Sequence, residues 1–291
     1  MSGTVDLVVR QADQGARSPG GTPSISVVTP TWGRERLLPH LVECFRSQTL
    51  PALELIILDD SPLGSSFLES LGDPRVTYLR GHARETNGAK RDTLIRAARG
   101  DVIAYFDDDD YYAPGYLEFM VNALGGADLV TLSSWYNYWV RDGGVYFWDT
   151  CEAARWHRRI PPAEGQPRFF HGNRVSEEVR RGFTLGYGFS YVFRREMGVR
   201  VGVPDMAHGS DYTFVKQAIA AGYAVHAVPD EVGRCLHMIH GDNVSLIFPQ
   251  YALPPFVARQ LFGDTPERYA RSFRDGSTAT AELSPTVDPQ P

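Results

Sequence analysis

Apolar runs rich in β-branched residues alternate with amphipathic stretches over most of the chain. Residues 24–29 (Ser-Ile-Ser-Val-Val-Thr) predict a strand. Residues 35–47 follow, with Leu37, Leu38, Leu41, Val42 and Phe45 at helical spacing. Residues 55–58 (Leu-Ile-Ile-Leu) predict a second strand that runs into Asp59 and Asp60, and residues 75–79 a weaker third. A helix over 88–99 carries Leu94, Ile95 and Ala98 on one face, and Gly100 has the position of a C′ glycine. Residues 102–106, all apolar, predict a fourth strand leading into Asp107, Asp108, Asp109 and Asp110. Strands without polar alternation are buried on both faces, and strand–helix alternation predicts a mainly parallel sheet.

The pattern loosens after residue 113. Pro114 opens a helix bearing Tyr116, Leu117, Met120, Val121 and Leu124. Residues 129–133 predict a strand. The stretch 135–148 is aromatic. Trp135 and Trp148 are its candidates for stacking on an acceptor, with core packing as the alternative. Residues 154–182 predict basic loops. Arg155, Arg158, Arg159 and Arg168 could there meet an anionic acceptor or a diphosphate, or form a solvated basic face. Residues 189–193 predict a strand, 211–221 a helix and 224–228 a strand. Two helices, over 254–261 and 266–273, close the pattern. Residues 1–23 and 275–291 are polar and rich in Gly and Pro, and predict a disordered arm and tail.

Composition narrows the class. At 43% hydrophobic and 22% charged, the chain has the make-up of a globular protein. Its net charge of −6 argues against nucleic acid as a bulk partner. No apolar run approaches the ~18 residues of a membrane span. Asp6 and Arg10 interrupt the one candidate leader segment, residues 5–9. Cys44, Cys151 and Cys235 form no CxxC pair, so reduced thiols and a cytoplasmic location are the expectation.

Polar and acidic residues gather just after three of the apolar strands, at 29–34, 59–60 and 107–110. In open α/β sheets ligands bind outside the carboxyl ends of the strands, so the three clusters should line one crevice. Four adjacent aspartates repel one another unless a cation or hydrogen-bond donors hold them. Carboxylate oxygens suit Mg²⁺ or Mn²⁺, which commonly keep waters and substrate phosphates as further ligands. The cluster therefore reads as a metal–diphosphate site. A calcium loop does not fit, because the fifth position is Tyr111 and no glycine follows at the sixth.

An ordered set of motifs carries a resemblance. It begins with Ser26-Val27-Val28-Thr29-Pro30-Thr31-Trp32-Gly33-Arg34, Phe45-Arg46-Ser47-Gln48-Thr49 and Leu55-Ile56-Ile57-Leu58-Asp59-Asp60-Ser61. It continues through Asn87-Gly88-Ala89-Lys90-Arg91-Asp92, Ala98-Arg99-Gly100-Asp101 and Tyr105-Phe106-Asp107-Asp108-Asp109-Asp110. It closes with Gly209-Ser210-Asp211-Tyr212-Thr213-Phe214 and His240-Gly241-Asp242-Asn243-Val244-Ser245. Over residues 24–246 the chain resembles the inverting glycosyltransferases of family 2, which have the GT-A fold. The resemblance implies an α/β domain over 24–250, with a donor half at 24–112 and an acceptor half at 113–250. A helical extension occupies 251–274.

The same resemblance assigns roles. Thr29, Thr31 and Arg34 would line the nucleotide site, and Asp60 would pair with the base, hence a UDP-sugar donor. Asp59 would be structural. Lys90 and Arg91 would face the nucleotide or diphosphate. Asp107 and Asp108 would contact the donor, while Asp109 and His240 would bind Mn²⁺ or Mg²⁺. Asp211 would be the catalytic base, with Asp205 as its substitute. The expected reaction is metal-assisted in-line transfer of one sugar to a glycan, peptide or small metabolite. Two alternatives share the fold, a catalytically silent nucleotide-sugar binder and a sugar-phosphate nucleotidyltransferase. The second calls for a Gly-rich loop after the first strand, where this chain has one glycine, Gly33. Glycoside hydrolysis also uses two carboxylates but leaves Asp60 and the aspartate cluster unexplained.

Overall fold

The computed structural model describes residues 23–160, 167–243 and 245–274. The arm expected over 1–23 lies outside them except for Pro23, and the tail expected over 275–291 lies wholly outside.

The first half is built on β1 (Ile25–Thr31), α1 (Leu38–Ser47), β2 (Glu54–Asp59), α2 (Ser66–Ser70), β3 (Val76–Arg80), α3 (Asn87–Ala97) and β4 (Val102–Tyr105). The strands are parallel in the order β3-β2-β1-β4. Their apolar character follows from being covered twice. Val27, Leu55, Ile57 and Val102 pack with Leu38, Leu41 and Phe45 of α1 on one face. Val28, Ile56, Leu58 and Ile103 pack with Leu94 and Ile95 of α3 on the other. The Thr86 hydroxyl caps α3 by accepting from the Ala89 amide at 3.1 Å. That helix ends at Ala97, short of the expected 99, and Gly100 lacks the left-handed backbone of a C′ glycine. Its smallness has another cause, since a Cβ there would lie 2.6 Å from the Ser26 amide nitrogen.

The second half continues with β5 (Tyr111–Tyr112), α4 (Tyr116–Leu124), β6 (Leu129–Trp139), β7 (Gly144–Asp149), β8 (Trp156–Arg159), β9 (Arg168–His171) and α5 (Glu177–Leu185). Then come β10 (Val192–Arg194), α6 (Arg195–Val201), α7 (Ser210–Ala220), β11 (Val225–Pro229), β12 (Cys235–Ile239), β13 (Tyr251–Leu253), α8 (Pro255–Phe262) and α9 (Thr265–Arg274). β6 runs six residues beyond its expected end at 133, because the aromatic stretch keeps strand periodicity. It has four partners. β10 and β11 pair with its beginning, and β7 and β12 with its end. β10 is antiparallel to β4 and joins the two halves into one sheet.

The basic segment 154–182 is more ordered than the expected loops. It holds the antiparallel β8–β9 pair, a separate two-stranded sheet, and α5. Ser176 followed by Glu177 and Glu178 is the cap signal for α5, and the Ser176 hydroxyl accepts from the Val179 amide. The strand expected at 189–193 is shorter, because a 3₁₀ turn at Gly188–Ser190 precedes β10. α8 and α9 cover Tyr138, Val145, Leu236 and Met238. Among the described residues no helix is long and apolar enough to cross a membrane.

Candidate active site

The parallel register sets Thr31 opposite Asp59 and Val28 opposite Tyr105, so the carboxyl ends of β1, β2 and β4 finish side by side. The aspartate loop hangs between β4 and β5. Tyr112 shapes it by stacking on Phe106 at 3.9 Å between ring centroids and accepting from the Asp107 amide at 2.9 Å. β5 pairs with β12, and this delivers His237 and His240 to the acids.

Each of the four acids has a basic neighbour. Asp107 accepts from Arg91 Nη2 at 3.0 Å. Asp108 accepts from the Thr31 hydroxyl at 2.5 Å and lies 3.5 Å from Arg34 Nη1. Asp109 Oδ2 accepts from Arg34 Nη1 at 2.5 Å and lies 3.0 Å from His240 Nε2. Asp110 Oδ1 accepts from the Met238 amide at 2.9 Å, and its Oδ2 lies 2.8 Å from His237 Nδ1. Asp108, Asp109 and Asp110 are buried, so this is not a solvated acidic loop.

Burial sets the charge balance. It pushes Asp108 up to about 7 and Asp110 up to about 6, against the pull of Arg34 and His237 respectively. Burial also raises Asp109, but Arg34 and His240 outweigh it and hold that carboxyl well below the usual range. Burial lowers His237 and Asp110 outweighs it, so the imidazole ends above its ordinary value.

Asp107, Asp109 and Asp110 each bring one oxygen within 4.8 Å of the others. That all-oxygen set, with His240 at its edge, suits a hard divalent cation. His237 Nε2 is buried without a hydrogen-bond partner.

Asp211 stands in the first turn of α7 and pairs with Arg91 Nη1. Arg91 therefore bridges Asp211 to Asp107, with its guanidinium 4.7 Å from the Tyr105 ring centroid. Gly188 makes room for this arrangement, since a Cβ there would lie 2.5 Å from the Asp211 carboxyl carbon.

Several expected contacts are not available as foreseen. The Thr29 hydroxyl is buried and donates to the Phe106 carbonyl at 2.7 Å, fastening β1 to β4 rather than facing a nucleotide. Thr31 is buried on Asp108. Lys90 is buried too, and its ammonium donates to Asp60 Oδ1 at 2.8 Å and to the Thr31 carbonyl at 2.9 Å. It positions Asp60 and does not face a diphosphate. The Asp60 side chain is 0% exposed, with Oδ2 accepting from the Glu85 amide at 2.6 Å, so residues 81–86 cover the expected base-reading acid. Trp135 and Trp148 are both 0% exposed and pack edge-to-face at 5.0 Å, so they belong to the core and offer no surface to an acceptor. Asp205 is occupied by the Thr86 hydroxyl, which donates to it at 2.6 Å. Asp59 is structural as expected, accepting from the Ser61 amide and the Tyr78 hydroxyl at 2.8 Å each.

Other site residues escaped the sequence reading. Trp32 is 47% exposed beneath the Arg84 guanidinium, 3.7 Å from its ring centroid, beside the segment that covers Asp60. An aromatic residue directly after Thr31 was the available signal. Phe273 of α9 stacks on the His240 ring at 4.4 Å, so the C-terminal extension buttresses the site. Nothing local in the sequence marks that contact.

Comparison with known proteins agrees with this architecture. Residues 26–176 match the family described as Glycosyl transferase family 2. The chain is 32% identical over 129 residues to the putative colanic acid biosynthesis glycosyl transferase WcaA of Escherichia coli, covering 43% of this chain and 46% of that protein. It is 30% identical over 105 residues to the GalNAc(5)-diNAcBac-PP-undecaprenol beta-1,3-glucosyltransferase of Campylobacter jejuni, covering 34% of each. The matches thus span less than half the length of these curated relatives. Among solved structures, the mannosyltransferase PcManGT of Pyrobaculum calidifontis, in complex with GDP-Man and Mn²⁺, superposes with a TM-score of 0.53 at 17% identity. That match covers 94% of this chain and 80% of the other. Residues 1–349 of S. aureus TarS, in complex with UDP-GlcNAc, give a TM-score of 0.51 at 14% identity, covering 74% and 58%. The solved structures establish the GT-A fold, and the family match shows that the chain belongs to glycosyltransferase family 2.

Proposed function

We propose that this chain transfers a single sugar from a uridine diphosphate sugar to an acceptor hydroxyl, with inversion at the anomeric carbon. Asp211 is the base. Asp107, Asp109 and Asp110 would hold Mn²⁺ or Mg²⁺, with His240 at the edge of the set. The observation that carries the reading is the Arg91 bridge, which ties the Asp211 carboxylate to the first acid of the cluster. A base and a donor-side acid that share one guanidinium belong to one reaction centre.

A bound cation would neutralise the charge that develops on the diphosphate as its bond to the sugar breaks. The residues do the rest. Asp211, in the first turn of α7, takes the proton of the attacking hydroxyl. Arg91 fixes that carboxylate in orientation. A diphosphate offers Arg91 and Arg34 a second anionic partner and so loosens their hold on Asp211 and Asp109. Uridine rests on Asp60, whose Oδ2 now accepts from the Glu85 amide. A uracil N3–H is a donor of the same kind once residues 81–86 open, and the exposed Trp32 ring lies beside that entrance. The acceptor is a glycan, a peptide or a small metabolite. All three cysteines are unpaired, which suits the reducing cytoplasm.

A thermal-shift panel of UDP, GDP, dTDP and CDP, each with Mn²⁺ and with EDTA, tests the reading. A Mn²⁺-dependent rise with UDP of roughly 5–10 °C is expected for a nucleotide at about 100 times its dissociation constant. A rise with GDP alone would replace uridine by guanosine. No rise with any nucleotide would remove the donor assignment. Proton NMR of sugar released to water at early times reads the stereochemistry, and retention of the donor anomer would exclude in-line displacement.

A further inference from the structure

The basic segment 154–182, which folds as the β8–β9 hairpin and α5, has no part in the proposed reaction. The hairpin's two faces differ. On the inner face His157 stacks on Phe170 at 5.3 Å, Phe170 packs against Phe248 at 5.7 Å, and Ile160 bridges to Ile247. The hairpin is thereby anchored to the body of the protein. On the outer face Trp156 stands opposite His171, and Arg158 opposite Phe169. Trp156 is 55% exposed and Phe169 60% exposed. Arg174 lies over the Trp156 ring and Arg158 over the Phe169 ring, at 5.9 and 5.6 Å.

The charge pattern is unusual for a chain of net charge −6. Residues 155–174 contain five arginines and a single acid. Arg158 shares the face of Trp156 and Phe169, whereas Arg159 and Arg168, opposite each other, share the face of His157 and Phe170. Nearby acids elsewhere on the surface neutralise their arginines, as Glu177 does for Arg180. Among the described residues no carboxylate does so for Arg158 or Arg174, the two arginines that lie over the exposed rings. Arginines without a carboxylate partner beside exposed aromatic rings, on a well-anchored element, mark a face that meets an external anion.

We propose that this outer face docks on an anionic lipid bilayer. Arginines near such a surface are attracted to its headgroup phosphates, and the attraction is screened within a Debye length. Exposed Trp and Phe side by side fit the interface between headgroups and acyl chains, where an aromatic ring loses contact with water while its neighbours stay charged. A dissolved polyanion would satisfy the arginines and leave both rings in water. The bilayer satisfies both. The hairpin runs through a single turn at Gly172–Arg174 into α5, whose Glu178 pairs with Lys216 of the helix that begins at Asp211. Docking would therefore orient the Asp211 side of the molecule relative to the bilayer. The inference does not depend on the assignment of donor or base.

Flotation of the full chain with vesicles tests it. Binding is expected to vesicles of phosphatidylcholine mixed with phosphatidylglycerol in equal parts and not to phosphatidylcholine alone. Added NaCl should release the protein, and bound protein should show a blue-shifted tryptophan emission. The double change Arg158→Gln/Arg174→Gln should weaken partitioning about thirtyfold, at about 1 kcal/mol for each arginine near an anionic surface. Arg158→Lys/Arg174→Lys should retain binding, which separates lost charge from a damaged hairpin. Trp156→Ala should abolish the blue shift. Equal binding to both vesicle types, binding unchanged in the Gln pair, or a wild-type chain that binds sodium polyphosphate but not the anionic vesicles would each overturn the proposal.

Discussion

Site residues from the two halves of the chain reach the same place by different routes. Thr31 ends one strand, and Asp60 and Asp107 follow its two neighbours in the sheet, so parallel register alone brings them level. Asp211 and His240 have no such guarantee. One stands on α7 and the other follows β12, and neither element borders β1. Arg91 must reach across 120 residues of sequence to Asp211, and Asp109 across 131 to His240. The first half is a platform whose geometry is built into its hydrogen-bond ladder. The second half holds its reactive groups by side-chain contacts, Asp211 by its pair with Arg91 and His240 by Asp109, Arg34, the Asp242 amide and the Phe273 ring, so these should be dislodged by changes that leave the fold intact.

The sharpest break in that comparison is Asp109→Ala, which removes an acid of the platform itself. Cation-dependent nucleotide binding should vanish in the thermal-shift assay, and transfer should fall about a thousandfold or more, in keeping with several kcal/mol of lost charge stabilisation. Asp211→Asn should act only in the second half. Nucleotide affinity should stay within a factor of about two while turnover drops about a hundred- to a thousandfold, the usual worth of a positioned base. Loss of nucleotide affinity in that variant would mean that Asp211 belongs to the donor site. Gly188→Ala sharpens the point without touching a charged group. Its methyl must displace the Asp211 carboxylate, and a displacement of that kind costs up to about a hundredfold in rate. Turnover unchanged by this substitution would show that Asp211 tolerates movement. Phe273→Ala removes the support behind His240 and should weaken Mn²⁺ about tenfold in calorimetric titration, with nucleotide specificity intact.

The smallest expected effect is on pH dependence. An ordinary aspartate ionises near 3.8, whereas folding delays Asp108 to about 7. The folded, cation-free protein therefore binds more protons than the unfolded chain between about pH 4 and pH 7, and stability falls as pH rises through that window. Asp110 and the raised His237 act in the same direction. Melting in EDTA should lose a few degrees across the window, at ~2–4 °C per kcal/mol, and Mn²⁺ should flatten the slope. A melting temperature that rises with pH in EDTA would contradict this account of the cluster.

What could be read from the residues alone follows the same division. β1, β2 and β4 were legible because, in an α/β chain, a fully apolar run that ends in acids fits little besides a strand buried on both faces. The grouping of Arg34, Asp107 and Asp109 followed from that. Burial within the site was not legible. Lys90 and Asp60 satisfy each other, and a sequence does not reveal which charged groups spend their valence internally. Trp135 and Trp148 show the same gap, because strand periodicity places them on one face without saying whether that face is covered. The β8–β9 hairpin was hidden by its own charges, which break the apolar alternation that marks strands. Phe273 needed the tertiary structure outright.

β6 has a further consequence for how the protein breathes. A strand that shares its hydrogen bonds among four others cannot fray at one end without releasing two of them. The elements that hang from it, including the one leading to His240, should therefore open together as one slow hydrogen-exchange unit. The surface segments between those elements are free to differ in length and composition among related chains. A new acceptor could then be accommodated by changing what is strung between the strands, with the frame that holds the base left as it is.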